Sequence, residues 1–447
     1  MRITYLTAGA AGMYCGSCMH DNTLARALVR LGVDVQLVPL YTPILVDEVD
    51  VSQEEVFFGG INVYLQQRFR LFRYLPRMFD RILDRPGLLR WIGSRGIETK
   101  AAQLGELAVS MLKGAAGFQR KEVQRLCQWL EQHPRPHLIN LTNMLIAGAA
   151  PELRRTLQTP ITVTLQGDDI FLEQLTAKHR AQALGEISRL ADSIDAFLVH
   201  SDYYADYMSE YLSLPRTKFR RVPLGIDTDG FTKRDYPEGA EQDAQRPLQI
   251  GYLARLAPEK GLHVLVDAFL LLHQMPGQLP PVQLRIAGWL GKQHEAYARM
   301  QFAKLDQAGL GDCYEYLGSV DRQEKQEMLH QLDIFSVPAV YRDPKGLYVL
   351  EALAAGAPVV LPRHGAFPEL VEATGGGILV PPEDRQALAS ALHQLLVDTT
   401  ERRRLSASGQ SCLLEKYHAE AMALTTRDVF QQVIADAQDA GATMGHA

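Results

Sequence analysis

Tyr341-Arg-Asp-Pro-Lys-Gly-Leu-Tyr-Val-Leu-Glu-Ala-Leu-Ala-Ala-Gly356, followed at once by Ala357-Pro-Val-Val-Leu-Pro362, is the stretch whose reading decides the fold. Asp343-Pro344 and Gly346 suit a turn that opens a helix, while Gly356 and Pro358 suit its end and a return to strand. The pattern is therefore strand, turn, short helix, strand. A helix that starts near Gly346 presents unpaired backbone N–H groups and the positive end of its dipole. Asp343 precedes that start and Glu351 lies about one turn further in. Amides of this kind suit an anion and carboxylates suit hydroxyls, so the diphosphate and sugars of a nucleotide-sugar would meet both.

Upstream, Gly251-Tyr-Leu-Ala-Arg-Leu-Ala-Pro-Glu-Lys-Gly261 places Arg255 at a strand end and Lys260 just ahead of a helix over Leu262 to Leu272. Two cations at a strand-to-helix turn can neutralise a diphosphate, although a solvated loop with ordinary surface charges would read the same way taken alone. Strands are expected at Leu248–Leu253, Leu284–Ala287, Tyr316–Leu317, Ile334–Val337, Val359–Leu361 and Ile378–Val380. The same alternation fills the first half of the chain, at Arg2–Leu6, Val35–Leu40, Ile61–Leu65, Leu138–Leu141, Ile161–Leu165, Ala196–Val199 and Phe219–Val222. Asn22–Gly32 reads as an amphipathic helix closed by glycine, behind a Gly-rich loop from Gly9 to Gly16. Asp235–Pro247 is polar, aperiodic and Pro- and Gly-containing, as an interdomain linker is. The expected organisation is a first domain over residues 1–235 with a helical insertion at about 66–135, a linker over 236–247, a second domain over 248–418, and a C-terminal helical segment, 419–447, packing back on the first. The fold class is α/β, with two Rossmann-like doubly wound domains facing across a cleft.

The order and spacing of these motifs resemble those of family 4 of the retaining glycosyltransferases, of GT-B architecture, whose carboxylate, seven-residue gap, Glu motif has Glu where this chain has Asp343. The resemblance covers most of the second domain. Val222–Phe231 is similar to the family's lead into the linker, Ile286-Ala-Gly288 to its Gly-ended strand, and Tyr316-Leu-Gly-Ser-Val320 to its base-holding loop. Gly365–Leu370 and Gly377–Pro382 are similar to the two signatures that follow. The resemblance implies that Arg255 and Lys260 bind the donor pyrophosphate, Glu351 the ribose, Asp343 the transferred sugar, and the Gly346 and Leu347 amides the phosphates. Gly318 and Val320 would lie against the base, and Gly16 against the donor. It implies a nucleotide diphosphate-sugar as donor substrate, no other cofactor and no metal, with an acceptor that is a glycan, a lipid-linked molecule or a small molecule. The only Asp-x-Asp, Asp227-Thr-Asp229, falls inside the lead into the linker and is not read as a metal signature.

In the first domain the match is looser. Gln166, in Thr164-Leu-Gln-Gly-Asp-Asp-Ile170, stands where the family often has a histidine near the reacting carbon. Glutamine can bond a sugar hydroxyl but cannot carry a proton, so no base is expected there. Tyr14-Cys-Gly-Ser-Cys-Met-His-Asp21 replaces the family's Gly-rich loop. Three readings of Cys15 and Cys18 stand side by side: packing against the donor, a redox switch, or part of a metal site with His20 and Asp21.

Composition sets bounds on partners and compartment. In 447 residues, 46 basic against 52 acidic side chains give a net charge of −6, which argues against a generic nucleic-acid binder. No apolar run approaches the ~18 residues that cross a bilayer. Five cysteines in a chain this long make no disulfide framework and fit a reducing compartment, so the expected location is cytoplasmic. Residues 68–95 carry a run of arginines interleaved with aromatic and aliphatic side chains, which suits either a core-facing stripe with a charged outer face or peripheral contact with the inner face of a membrane. Competing readings are a nucleotide-sugar epimerase or a phosphorylase on the same architecture, and a sugar-nucleotide binder without turnover. An NAD-dependent oxidoreductase is disfavoured because neither Gly-rich loop reads Gly-x-Gly-x-x-Gly.

Overall fold

The computed structural model describes residues 1–9, 16–53, 101–234, 246–276 and 279–444. The expected strand at Ile61–Leu65, the arginine run, Cys15 and most of the linker lie outside the described residues. The chain divides into two units, Met1–Pro223 with Ala419–Ala447, and Leu224–His418.

In the first unit β1 (Arg2–Thr7), β2 (Asp34–Pro39), β3 (Leu138–Leu141), β4 (Ile161–Thr164), β5 (Ala196–Val199) and β6 (Phe219–Arg221) form one parallel sheet in the order β2-β1-β3-β4-β5-β6. Every residue of β3, β4 and β5 is buried, as in strands covered by helices on both faces. The helix Ala419–Met444 belongs to this unit and packs on the helix Gly16–Arg30, with the Phe430 ring 6.4 Å from that of Tyr5. The helices Ala101–Leu112 and Arg120–Gln132, from the stretch read as an insertion, bury Leu112, Leu126 and Leu130 in the core of the sheet.

The second unit holds β7 (Leu248–Leu253), β8 (Val282–Ala287), β9 (Tyr314–Tyr316), β10 (Ile334–Phe335), β11 (Val359–Pro362) and β12 (Gly377–Val380), all parallel, in the order β12-β11-β10-β7-β8-β9. The order reverses between β7 and β10. At such a point the loops leaving two neighbouring strands diverge to opposite faces and open a crevice at the strands' carboxyl ends. Arg255 and Lys260 follow β7, and Tyr341 to Gly346 follow β10.

Two boundaries differ from the sequence reading. The first helix begins at Gly16 rather than near Asn22, because Cys18, His20 and Asp21, read as loop, are buried on its inner face. Residues 224–234, assigned to the first domain, are tied to the second unit instead. There the Ile226 amide donates to Tyr417 O at 3.0 Å and the Arg234 amide to Gln410 Oε1 at 2.8 Å. Asp227 belongs to the same anchoring, 3.5 Å from the Arg322 guanidinium.

Candidate active site

Gly261 ends the turn that carries Lys260. It has φ +73°, and a Cβ there would lie 1.8 Å from Pro338 O, so only glycine allows the loop after β7 to close on the loop after β10. That closure buries Lys260, whose ammonium lies 2.9 Å from Asp343 Oδ2 and also donates to the Tyr341 hydroxyl. The same nitrogen stands 4.8 Å from the centroids of both the Tyr341 and the Tyr348 rings, a cation held over two aromatic faces.

Asp343 accepts five hydrogen bonds. The Tyr341 and Tyr348 hydroxyls donate to Oδ2 at 2.8 and 2.9 Å beside Lys260, and the Lys345 and Gly346 amides donate to Oδ1 at 3.1 and 3.0 Å. Burial pushes this carboxyl up, but the adjoining Lys260 ammonium and the donors around it more than offset that and hold it well below the usual carboxylate range. Asp343 is thus a charged keystone of the turn, with both oxygens engaged by the protein. The resemblance assigns this residue to the transferred sugar, and in the protein alone its oxygens hold the turn together. The Gly346 amide, assigned by the resemblance to the phosphates, donates here to Asp343 Oδ1. The amides of Leu347 and Tyr348 then head the helix Leu347–Ala354, whose first internal bond comes from Val349 N to Gly346 O at 3.0 Å.

Glu351 lies on that helix and is buried, its Oε1 accepting from Lys325 Nζ at 2.7 Å. Arg255 is different in kind. Its side chain is 46% exposed and its guanidinium pairs with Glu259 at 3.3 Å, so it is the cation of this loop open to a ligand. Gly318 and Val320 follow β9; Gly318 O accepts from the Gly288 amide at 2.8 Å, and Val320 lines a cavity of about 200 Å³ with Leu317, Arg285 and Met328.

In the first unit, Gln166 is buried at the end of β4 and its side-chain amide donates to Asp21 Oδ1 at 2.9 Å and to Thr142 O at 3.3 Å. Asp21 also accepts from the Thr7 hydroxyl at 2.8 Å and lies 3.1 Å from His20 Nδ1. The His20 ring stacks edge-on against His200 at 4.5 Å, and His200 Nδ1 donates to Val222 O at 3.0 Å. The side-chain nitrogen of Gln166 is therefore anchored by Asp21. Gly16 is the exposed first residue of the helix Gly16–Arg30, and Cys18 is buried in the core two residues along. Among the described residues no group of three His, Cys, Asp or Glu side chains could hold a metal ion, and no helix is long and apolar enough to cross a membrane.

Just beyond Gln166, Asp168 is buried and accepts from the Met144 amide at 2.6 Å and the Gln166 amide at 3.0 Å. Burial pushes its carboxyl up to about 6, against the pull of those two amides. A folded pKa above the unfolded one means that the folded protein keeps a proton that the unfolded chain has lost, so stability falls as pH rises from about 4 to about 6. The size of this effect is on the order of 3 kcal/mol. Urea unfolding of the wild type and Asp168→Asn across that window is expected to show an extra decline in the wild type; parallel curves would refute it.

A family profile described as glycosyl transferases group 1 matches residues 238–411, and a second, for the glycosyl transferase 4-like domain, matches residues 22–225. This chain belongs to the group 1, family 4 glycosyltransferases. The chain is 31% identical over 265 residues to the amylovoran biosynthesis glycosyltransferase AmsK of Erwinia amylovora, covering 58% of this chain and 61% of that one. It spans about half the length of the curated relatives it matches, 47% to 61% among those at 30% identity or more. In fold it is similar to sucrose-phosphate synthase from Thermosynechococcus elongatus, with a TM-score of 0.69 at 20% identity over 97% of this chain and 99% of that one. It is likewise similar to Anabaena Alr3699/HepE in complex with UDP-glucose, with a TM-score of 0.64 at 17% identity over 97% and 100%. These place the chain in the GT-B fold class.

The sequence motifs brought Arg255, Lys260, Asp343 and Glu351 into one unit, as the crevice between β7 and β10 requires, but missed Tyr341, Tyr348, Lys325 and Asp21 as the partners that hold them. The tyrosines carried a faint signal, two aromatic hydroxyls flanking Asp343 in the stretch Tyr341–Tyr348. Lys325 and Asp21 carried none.

Proposed function

We propose that this glycosyltransferase moves a sugar from a nucleotide diphosphate-sugar to a hydroxyl acceptor with retention at the transferred carbon. The observation that supports it most is the convergence at the carboxyl ends of β7 and β10 of an open guanidinium, Arg255, with the amide-bearing start of the helix Leu347–Ala354 and the carboxylate of Glu351. That set matches a diphosphate flanked by a ribose. The UDP-glucose complex of the similar Anabaena protein lends further support.

In this reading the bond from the sugar's anomeric carbon to the phosphate oxygen breaks, and the acceptor oxygen bonds that carbon on the same face. The acceptor's proton passes to the leaving phosphate oxygen. The protein stabilises the negative charge that grows on the diphosphate, through Arg255 and the helix amides, with Lys260 behind them. Because the protein supplies this counter-charge, we read the reaction as needing no metal ion. Glu351 holds the ribose and Lys325 holds Glu351, while Gly318 and Val320 form one wall of the base site.

The test is a thermal-shift panel of UDP-, GDP- and ADP-sugars, in which a donor at 100 times its dissociation constant adds ~2.7 kcal/mol of stability. Absence of any shift across the panel would overturn the donor reading. Anomeric configuration of the product by NMR tests retention, and an inverted product would refute it. Glu351→Gln is expected to weaken calorimetric binding of the free nucleoside diphosphate by about tenfold, the loss of one charge-assisted hydrogen bond. Unchanged affinity would remove Glu351 from the ribose.

A further inference from the structure

The loops that leave β7, β8 and β9 touch one another at the carboxyl ends of their strands. A Cβ at Gly288, the residue after β8, would stand 1.9 Å from the oxygen of Ala254, next to Arg255, and the Gly288 amide donates to Gly318 O at 2.8 Å. The rim of the donor crevice therefore continues from Arg255 to Gly318 and Val320. The helix that follows β9, Arg322–Gln331, reaches the crevice as well, since Lys325 in its first turn donates to Glu351 at 2.7 Å.

Between that helix and β8 lies the cavity of about 200 Å³ that Val320 lines. Leu317, Val320 and Met328 give it apolar walls, while Arg285, Glu324 and Glu327 bring one guanidinium and two carboxylates to it. A cavity of ~150 Å³ admits a benzene ring, so this one has room for a planar base. The charged groups are fixed from behind. Glu324 completes a capping box, its Oε2 accepting from the Asp321 amide at 2.9 Å, and Glu327 Oε1 accepts from Gln323 Nε2 at 2.8 Å. Arg285 Nη1 lies 3.0 Å from Glu315 Oε2, and the arginine side chain is 18% exposed. A carboxylate has about four acceptor sites and a guanidinium five N–H donors, so these contacts hold the groups and leave capacity for a ligand.

Resting on the nucleotide-sugar donor proposed above, we infer that this cavity receives the nucleobase and that the base is guanine. Guanine carries the acceptor O6 beside N–H donors on N1 and N2, so a guanidinium meets the first and carboxylates the others. Uracil places a single N–H between two carbonyl acceptors, which suits a lining richer in donors than this one. Adenine offers the glutamates its N6 amino group alone. With two carboxylates facing one guanidinium, the base that has the most N–H donors is the best match. Lys325 and Glu324 are consecutive on the helix, which sets the ribose carboxylate, Glu351, next to the base cavity.

Calorimetry of the full chain with GDP, IDP, UDP and ADP is the test. IDP carries hypoxanthine, which keeps O6 and N1–H and lacks the amino group on N2. GDP is expected to bind at least about tenfold more tightly than UDP or ADP, the worth of one well-placed bidentate contact, with IDP in between. Glu324→Gln combined with Glu327→Gln, a change that a capping box tolerates, is expected to lower GDP affinity about tenfold and bring it level with UDP. Arg285→Lys should weaken GDP and IDP alike, because both carry O6. A wild-type preference for UDP or ADP would overturn the guanine assignment and leave the donor site standing. A GDP preference that survives the double glutamine variant would overturn the placement of the base in this cavity, and so would equal weakening of GDP and UDP, which marks a structural effect. Failure of the wild type to bind any of the four diphosphates would overturn the donor reading itself, and the inference with it.

Discussion

Lys260→Met is expected to destabilise the protein by about 3–5 kcal/mol and to lower transfer by about 10²–10³, the largest combined effect of any single substitution in the crevice. The loss of stability arises because the Asp343 carboxylate, 4% exposed, would keep its charge and lose the ammonium 2.9 Å away. Two tyrosine hydroxyls and two amides remain as donors, yet hydrogen bonds to neutral groups do not replace a counter-ion in a site this dry. The same reasoning gives a sharper test. Adding Asp343→Asn to Lys260→Met removes the unbalanced charge, so the double variant should be more stable than Lys260→Met alone, while transfer stays low in both. Urea unfolding at pH 7 measures the first quantity and initial rates the second. A Lys260→Met protein as stable as the wild type would mean that the buried pair contributes nothing to the fold.

Arg255→Ala should show the opposite pattern, a rate loss of about 10²–10³ with stability changed by less than about 0.5 kcal/mol. Its guanidinium is 46% exposed and, among the described residues, pairs with Glu259, four residues on, at 3.3 Å. An exposed pair of this spacing adds little to stability, so the arginine's presence at the end of β7 has to be explained by what it binds. Lys260 is already balanced by Asp343, which leaves Arg255 as the cation whose charge is available to a diphosphate. Arg255→Lys should recover part of the rate but not all, since an ammonium keeps the charge and loses the planar fork. Near-normal turnover of Arg255→Ala in a folded protein would remove it from the phosphate site.

The contrast between these two cations bears on how much could be read before the fold was known. Arg255 and Lys260 are five positions apart in one loop and looked equivalent in the sequence. The strand and helix alternation, the glycines at turns and the carboxylates at a fixed spacing are local features, so β7 to β12 and the helix Leu347–Ala354 were placed to within a few residues. The two α/β units follow from that alternation. Local pattern also put Glu351 on the helix that starts at the crevice, because helical periodicity alone sets that position.

What only the tertiary structure decided is which of these groups is free to act. Asp343 and Lys260 are 83 positions apart in the chain, and Gln166 and Asp21 are 145 apart. No propensity or spacing reports such pairs, since they exist only once parallel strands bring their carboxyl ends side by side. The first helix shows the same limit, because Cys18 to Asp21 lack an apolar pattern and are helical through the burial of His20 and Asp21 against β1 and β4. The sequence by itself determined the family, the sheet-forming segments and the residue types at the crevice, all of which are matters of local periodicity and turn chemistry. The tertiary structure decided their states, turning Asp343 and Gln166 inward and leaving Arg255 open, because burial and long-range hydrogen bonding are properties of the packed chain alone.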